Sequence, residues 1–175
     1  MSSLKFGTSG LRGLVTELTD EVCFAYSAAF LQHLLANGLA SNSAVLFGQD
    51  LRDSSPRIAK ACMTAADALG MKIENCGALP TPALALRAMM LKVPAIMVTG
   101  SHIPADRNGL KFYRPDGEID KADEAEINRR VASGEQSSPL SGGEKATHPA
   151  AVEAYLARCR SILVGNSLVG KRIGV

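Results

Sequence analysis

The sequence predicts an α/β fold, a mostly parallel mixed sheet flanked by helices, and three observations carry that expectation. Short apolar runs of strand length alternate with segments of helical period, as in βαβ units joined by right-handed crossovers. Two helical segments open on a hydroxyl residue followed by proline, Ser55-Pro56 and Thr81-Pro82, where proline's fixed φ suits a first turn. At 175 residues and 46% hydrophobic, the chain can bury one sizeable core but falls short of two domains of ordinary size.

The elements follow in order. Thr19 caps the first helix, with Asp20 and Glu21 in its opening turn; Val22, Tyr26, Ala29, Phe30, His33 and Leu34 recur along one face. Gly38 stops it. Residues 44–47 form a continuous apolar run, as a strand buried on both faces does. A second helix runs from Ser55-Pro56 to Gly70, a strand spans 71–76, and Thr81-Pro82 opens a shorter helix ending near Leu91. Residues 94–99, Pro-Ala-Ile-Met-Val-Thr, are the clearest buried strand, and 109–113 are another. Asp120 caps a helix through Val131, closed by Gly134.

Residues 135–149 turn to Ser, Gly, Pro and Gln, the composition of a loop or linker. A helix over 150–163 follows, with Val152, Tyr155, Leu156, Cys159 and Leu163 on one side. The expected organisation is a core unit over 1–134, the linker at 135–149, and a helix and first strand over 150–175 leading into a second domain. Residues 170–175 resemble a strand that opens without a partner or turn, so the chain is expected to be a piece of a longer protein.

Composition narrows the function classes. Nineteen Lys plus Arg against seventeen Asp plus Glu leave +2, so no overall basic field points to nucleic acid. Cys23, Cys62, Cys76 and Cys159 form no CxxC pair, which argues against a disulfide scaffold or structural zinc and for buried thiols in a reducing compartment. Residues 1–13 have no apolar segment of a signal peptide. The most apolar stretch, 22–40, is broken by Ser27, Gln32, His33 and Asn37 and falls below the ~20 apolar residues of a membrane span. A cytoplasmic protein without nucleic-acid or membrane partner is expected.

Two motifs carry chemistry. Residues 99–111, Thr99-Gly100-Ser101-His102-Ile103-Pro104-Ala105-Asp106-Arg107-Asn108-Gly109-Leu110-Lys111, leave the carboxyl end of the best strand, where open α/β sheets place their ligand crevice. Pro104 stiffens the turn, and Asn108-Gly109 has the composition of a tight hairpin. One hydroxyl, Ser101, stands among His102, Arg107 and Lys111; a ring of cations suits a phosphorylated serine of charge about −2. A hydrolase triad fits less well, because no Gly-x-Ser-x-Gly elbow surrounds Ser101 and sequence neighbours rarely bring a histidine nitrogen onto the hydroxyl. The second motif, Lys5-Phe6-Gly7-Thr8-Ser9-Gly10-Leu11-Arg12-Gly13, reads as a glycine-rich loop whose backbone can approach an anion. It lacks the Gly-Lys-Ser/Thr ending of a Walker loop.

Together these motifs resemble the α-D-phosphohexomutases, nearest the phosphomannomutase and phosphoglucomutase branch. Gly48-Gln49-Asp50-Leu51-Arg52-Asp53-Ser54-Ser55 and Gly77-Ala78-Leu79-Pro80-Thr81-Pro82 match in the expected order, and the likeness spans roughly residues 4–120. One departure is Gly100 and Ile103, where many members have Ala before the serine and Asn before the proline. The resemblance implies the family's first domain, with Ser101 as the phosphoserine that exchanges phosphate with a hexose monophosphate through a hexose bisphosphate, which is also the activator. It implies catalytic roles for Ser101, His102, Lys111 and Arg12. Thr8, Ser9, Arg12 and Lys111 would bind substrate, and the Ser101 phosphate would be one ligand of Mg2+.

The aspartate loop that completes the family's magnesium site has no counterpart. Asp116-Gly117-Glu118-Ile119-Asp120 lacks its third-position Asp and its Arg, and reads as a turn. The sugar-selecting and distal phosphate-binding loops are absent too, so the remaining domains of the polypeptide are implied partners. The chain alone is expected to be inactive, and mannose is not separated from glucose. A free-standing sugar-phosphate-binding module without catalysis is the alternative.

Overall fold

The alternation resolves into a seven-stranded sheet with helices on both faces. The computed structural model describes residues 2–7, 10–40, 44–134, 146–162 and 170–174. In chain order they form β1 (Lys5–Phe6), β2 (Gly10–Leu14), α1 (Asp20–Ala36), β3 (Ala44–Gln49), α2 (Ser55–Ala68), β4 (Lys72–Ala78) and α3 (Thr81–Leu91). Then come β5 (Ala95–Val98), β6 (Arg107–Arg114), β7 (Gly117–Glu118), α4 (Lys121–Ser133) and α5 (Ala150–Ile162). The strand order is β1-β2-β6-β5-β3-β4, with β7 beside β6.

Period-two alternation along the strands divides the interior into two cores. Val45, Phe47, Ile96, Val98, Leu110, Phe112 and Leu11 point to one face, where α1, α2 and α4 pack. Leu46, Ala95, Met97 and Tyr113 point to the other and meet α3 and α5, whose Ala83, Leu84, Ala88 and Ala151 are buried there. The first core includes the Phe30–Phe112 ring pair, 4.9 Å between centroids, an arrangement worth about 1 kcal/mol beyond its burial.

The mixed α/β class matches the expectation, but parallel pairing is confined to β4-β3-β5. Every other pairing between the named strands is antiparallel: β5–β6, β6–β2, β2–β1 and β6–β7. The reason is that the glycine-rich segment at 5–14 is not simply a loop. Lys5–Phe6 and Gly10–Leu14 are strands, and the second lies along β6 in the register Gly10↔Lys111, Leu11↔Leu110, Arg12↔Gly109. The expected Asn108-Gly109 hairpin is also replaced by strand, for both residues lie in β6. Asn108 is buried and donates through Nδ2 to Ser54 and Ser55 Oγ, at 2.8 and 2.9 Å.

Helix ends follow the sequence at α1 and α4. The Thr19 hydroxyl accepts from Val22 N at 3.3 Å, and Asp120 with Asp123 completes a reciprocal capping box. Two cap assignments shift by one residue. α2 begins at Ser55 with Ser54 before it, and α3 begins at Thr81 with Pro80 before it, neither with a side-chain cap bond. The Ser55 hydroxyl is engaged instead by Asp50, to which it donates at 2.5 Å. The end of the expected last helix at Leu163, most of 135–149 and part of 170–175 lie outside the described residues. Residues that are described beyond Gly134 return to the sheet: Thr147 bridges Asn75 on β4, and α5 packs on α3.

Candidate active site

β3 and β5 run parallel, so the loops leaving their carboxyl ends emerge on the same edge. The loop after β5 carries Ser101 and His102, both exposed; the one after β3 carries Asp50 and Arg52. Ser101 has φ 52°, a left-handed conformation costly for a non-glycine residue, on the order of 1–2 kcal/mol. The Thr99 hydroxyl accepts from Ser101 N at 2.9 Å, and His102 Nδ1 lies 3.3 Å from Ser101 Oγ. The contact between neighbours that sequence reasoning counted as rare is therefore present.

Arg12 and Lys111 are brought together by strand register. Each stands opposite a glycine, Arg12 facing Gly109 and Lys111 facing Gly10. Both point to the α3 and α5 side of the sheet, as shown by the Met97↔Lys111 pair. A shallow pocket is lined by Arg12, Lys111 and Thr99 with Gly10 and Gly109. Glycine is required at both positions. A Cβ on Gly10 would lie 1.9 Å from the Leu110 carbonyl oxygen, and one on Gly109 2.6 Å from that of Leu11.

Arg107 shares that face at the start of β6 and is half-buried. No hydrogen bond or ion pair joins its side chain to Ser101 among the described residues, so the expected ring of cations is open on that side. Thr8 and Ser9 lie outside the described residues.

Asp50 and Arg52 are the residues that sequence reasoning passed over as family-matching context. Asp50 Oδ2 accepts from Gly100 N at 2.9 Å, and its Oδ1 accepts from Arg52 N at 3.0 Å. Partial burial raises the Asp50 pKa, but the bonds from Ser55, Arg52, Gly100 and Thr99 outweigh it and hold the carboxyl below its ordinary value. The Arg52 guanidinium reaches the carbonyls of Pro104 and Ile103 at 2.7 and 2.5 Å, and those of Arg107 and Ser101 at 3.1 and 3.3 Å. The signal available in the sequence was an Asp-x-Arg placed directly after a buried strand.

Asp116 and Asp120 of the turn at 116–120 are committed elsewhere. Arg114 pairs with Asp116, Asp120 and Asp123 at 2.8–3.0 Å. Among the described residues no group of three or more His, Cys, Asp or Glu is placed to hold a metal ion. By themselves the described residues do not fit a magnesium site. Among the described residues, no helix is long and apolar enough to cross a membrane.

The layers and loop placement define the class: an α/β/α domain on a mixed sheet, its polar loops gathered at the carboxyl ends of parallel strands. The chain belongs to the phosphoglucomutase/phosphomannomutase family, whose model for alpha/beta/alpha domain I matches residues 3–138. A phosphomannomutase of Sinorhizobium fredii is 47% identical over 176 residues, covering 98% of this chain and 37% of that protein. One of Salmonella muenchen is 46% identical, covering 99% of this chain and 35% of its own length. In structure, a putative phosphomannomutase of Thermus thermophilus matches with a TM-score of 0.78 at 28% identity, over 94% of this chain and 37% of that one. The chain thus spans little more than a third of the relatives it matches.

Proposed function

We propose that this chain is the phosphoserine domain of a phosphohexomutase that moves phosphate between the 1- and 6-positions of a hexose phosphate. The observation that carries the reading is the Ser101 hydroxyl at the end of β5, 3.3 Å from His102 Nδ1, with Thr99 linking that loop to the Arg12 and Lys111 pocket. In the proposed reaction the Ser101 Oγ–P bond breaks as an O–P bond to a sugar hydroxyl forms. The hydroxyl's proton is relayed within the site to the freed Oγ. The resulting hexose bisphosphate turns round and returns its other phosphate to Ser101 by the same exchange. Such transfer depends mainly on positioning and charge neutralisation. Arg12 offers a planar fork and Lys111 a mobile point charge to the phosphate oxygens; His102 orients the serine, and Thr8 and Ser9 bind the substrate.

Several finer assignments belong to the same reading. The 1–134 unit is the first domain, 135–149 a linker, and 150–175 leads onward after α5 has packed on α3. Mg2+ would take one oxygen from the Ser101 phosphate and its other ligands from the remaining domains, a bisphosphate serves as activator, and the protein works in the cytoplasm. That two of the relatives are phosphomannomutases supports mannose phosphate as the substrate.

Intact-mass analysis and peptide mapping of the complete polypeptide should find phosphate on Ser101, and Ser101→Ala should abolish hexose phosphate turnover. Active protein with Ser101 always bare, or full turnover by Ser101→Ala, defeats the reading. The 175-residue chain alone should turn over neither substrate.

A further inference from the structure

We propose that Arg52 is a positioning residue for phosphoryl transfer: its guanidinium gathers four carbonyls of the serine loop and so fixes where Ser101 Oγ stands. The proposal rests on the reading of Ser101 as the phosphoryl carrier. The acceptors belong to Ser101, Ile103, Pro104 and Arg107, and thus span the loop from its nucleophile to the first residue of β6. Few side chains can do this; guanidinium has five N–H donors in a rigid plane, whereas a lysine ammonium has three on a single atom.

The other side of the loop is held as well. Gly100 N donates to Asp50, and Asp50 Oδ2 lies 3.4 Å from Arg52 Nε, so one carboxylate both grips the loop and orients the arginine. The Arg52 side chain is only 19% exposed, although the serine it serves is at the surface. Gly100 has a part in this approach. A Cβ there would stand 2.2 Å from Arg52 Nε, so the glycine leaves room for the guanidinium against the backbone. Ser101 is kept at φ 52°, and the contacts on either side of it hold the loop against relaxation to negative φ. Arg52 itself donates to backbone oxygens and is not a phosphate ligand.

The test uses the complete polypeptide with Arg52→Ala, Arg52→Lys and, as reference, Ser101→Ala. Misplacing a reacting atom by about an ångström can cost about a hundredfold in rate. Arg52→Ala should lose about that much in kcat while KM for hexose phosphate moves by less than about threefold, since the loop's position and not substrate affinity is changed. Amide exchange over 100–107 should quicken, and added methylguanidinium should restore part of the turnover. Arg52→Lys, which keeps charge without the fork, should remain impaired and carries the test if the alanine variant does not fold. Turnover within about threefold of the unaltered protein in both variants overturns the proposal. So does, in Arg52→Lys, a fall in kcat matched by a rise in KM and a drop in thermal midpoint, with no methylguanidinium rescue of Arg52→Ala, the signature of a merely structural role. Turnover that survives Ser101→Ala overturns the phosphoserine reading and this proposal together; loss in Ser101→Ala with retention in Arg52→Ala overturns this proposal alone.

Discussion

Arg12 and Lys111 owe their reach to the residues opposite them. On the β2–β6 side each long side chain lies across from a glycine, so no Cβ of the partner strand stands between the two cations. Under the proposed mechanism, Arg12→Ala and Lys111→Ala in the complete polypeptide should each lower turnover by orders of magnitude. One lost preorganised charge contact costs on the order of 3 kcal/mol of transition-state stabilisation. Thermal midpoints should scarcely move, because both side chains are half-buried at a pocket and not in either hydrophobic core. Near-normal kcat in either variant removes that residue from the reaction. At this scale Ser101, His102, Arg12 and Lys111 stood out in the sequence as candidates, through residue type and through the motifs that carry the family resemblance. Arg52 did not, since its partners are backbone carbonyls, and every residue has one.

Strand β2 shows how an element can be hidden by its composition. Gly10-Leu11-Arg12-Gly13-Leu14 has low strand propensity and reads as a loop. What makes it a strand is β6, against which its backbone packs too closely for larger residues. Gly10→Ala should therefore destabilise the protein by about 1–3 kcal/mol, the usual cost of forcing extra volume into a packed site, and here the obstruction is the Leu110 backbone. Chemical denaturation would measure it; an unchanged midpoint would mean that β2 is free to shift along β6. The βα alternation after Ala44 was legible because buried parallel strands and capped helices leave strong local signals. The pairing of β2 with β6 depends on contacts about a hundred residues apart in sequence, which no local pattern announces, and the short β1 and β7 are local hairpin partners of those two strands.

At the scale of the whole molecule, the two cores enclose Cys23, Cys62 and Cys76, while Cys159 on α5 is partly accessible. Burial pushes the Cys62 and Cys76 thiols up to about 12 and that of Cys23 higher still. Thiolate is the reactive form, so limited alkylation of the folded protein near neutral pH should label Cys159 first and the other three only on unfolding. Equal labelling of Cys62 and Cys159 would mean that the face holding α1 and α2 opens readily. The sheet beneath the candidate site has a further property. β2 reads Gly10-Leu11-Arg12 and β6 reads Gly109-Leu110-Lys111, and antiparallel register lays one triplet over the other about the Leu11↔Leu110 pair. A local twofold axis therefore passes between those leucines, exchanging glycine with glycine and cation with cation. A ligand with a phosphate at each end, rotated half a turn about that axis, meets the same array, with a point charge where a fork had been.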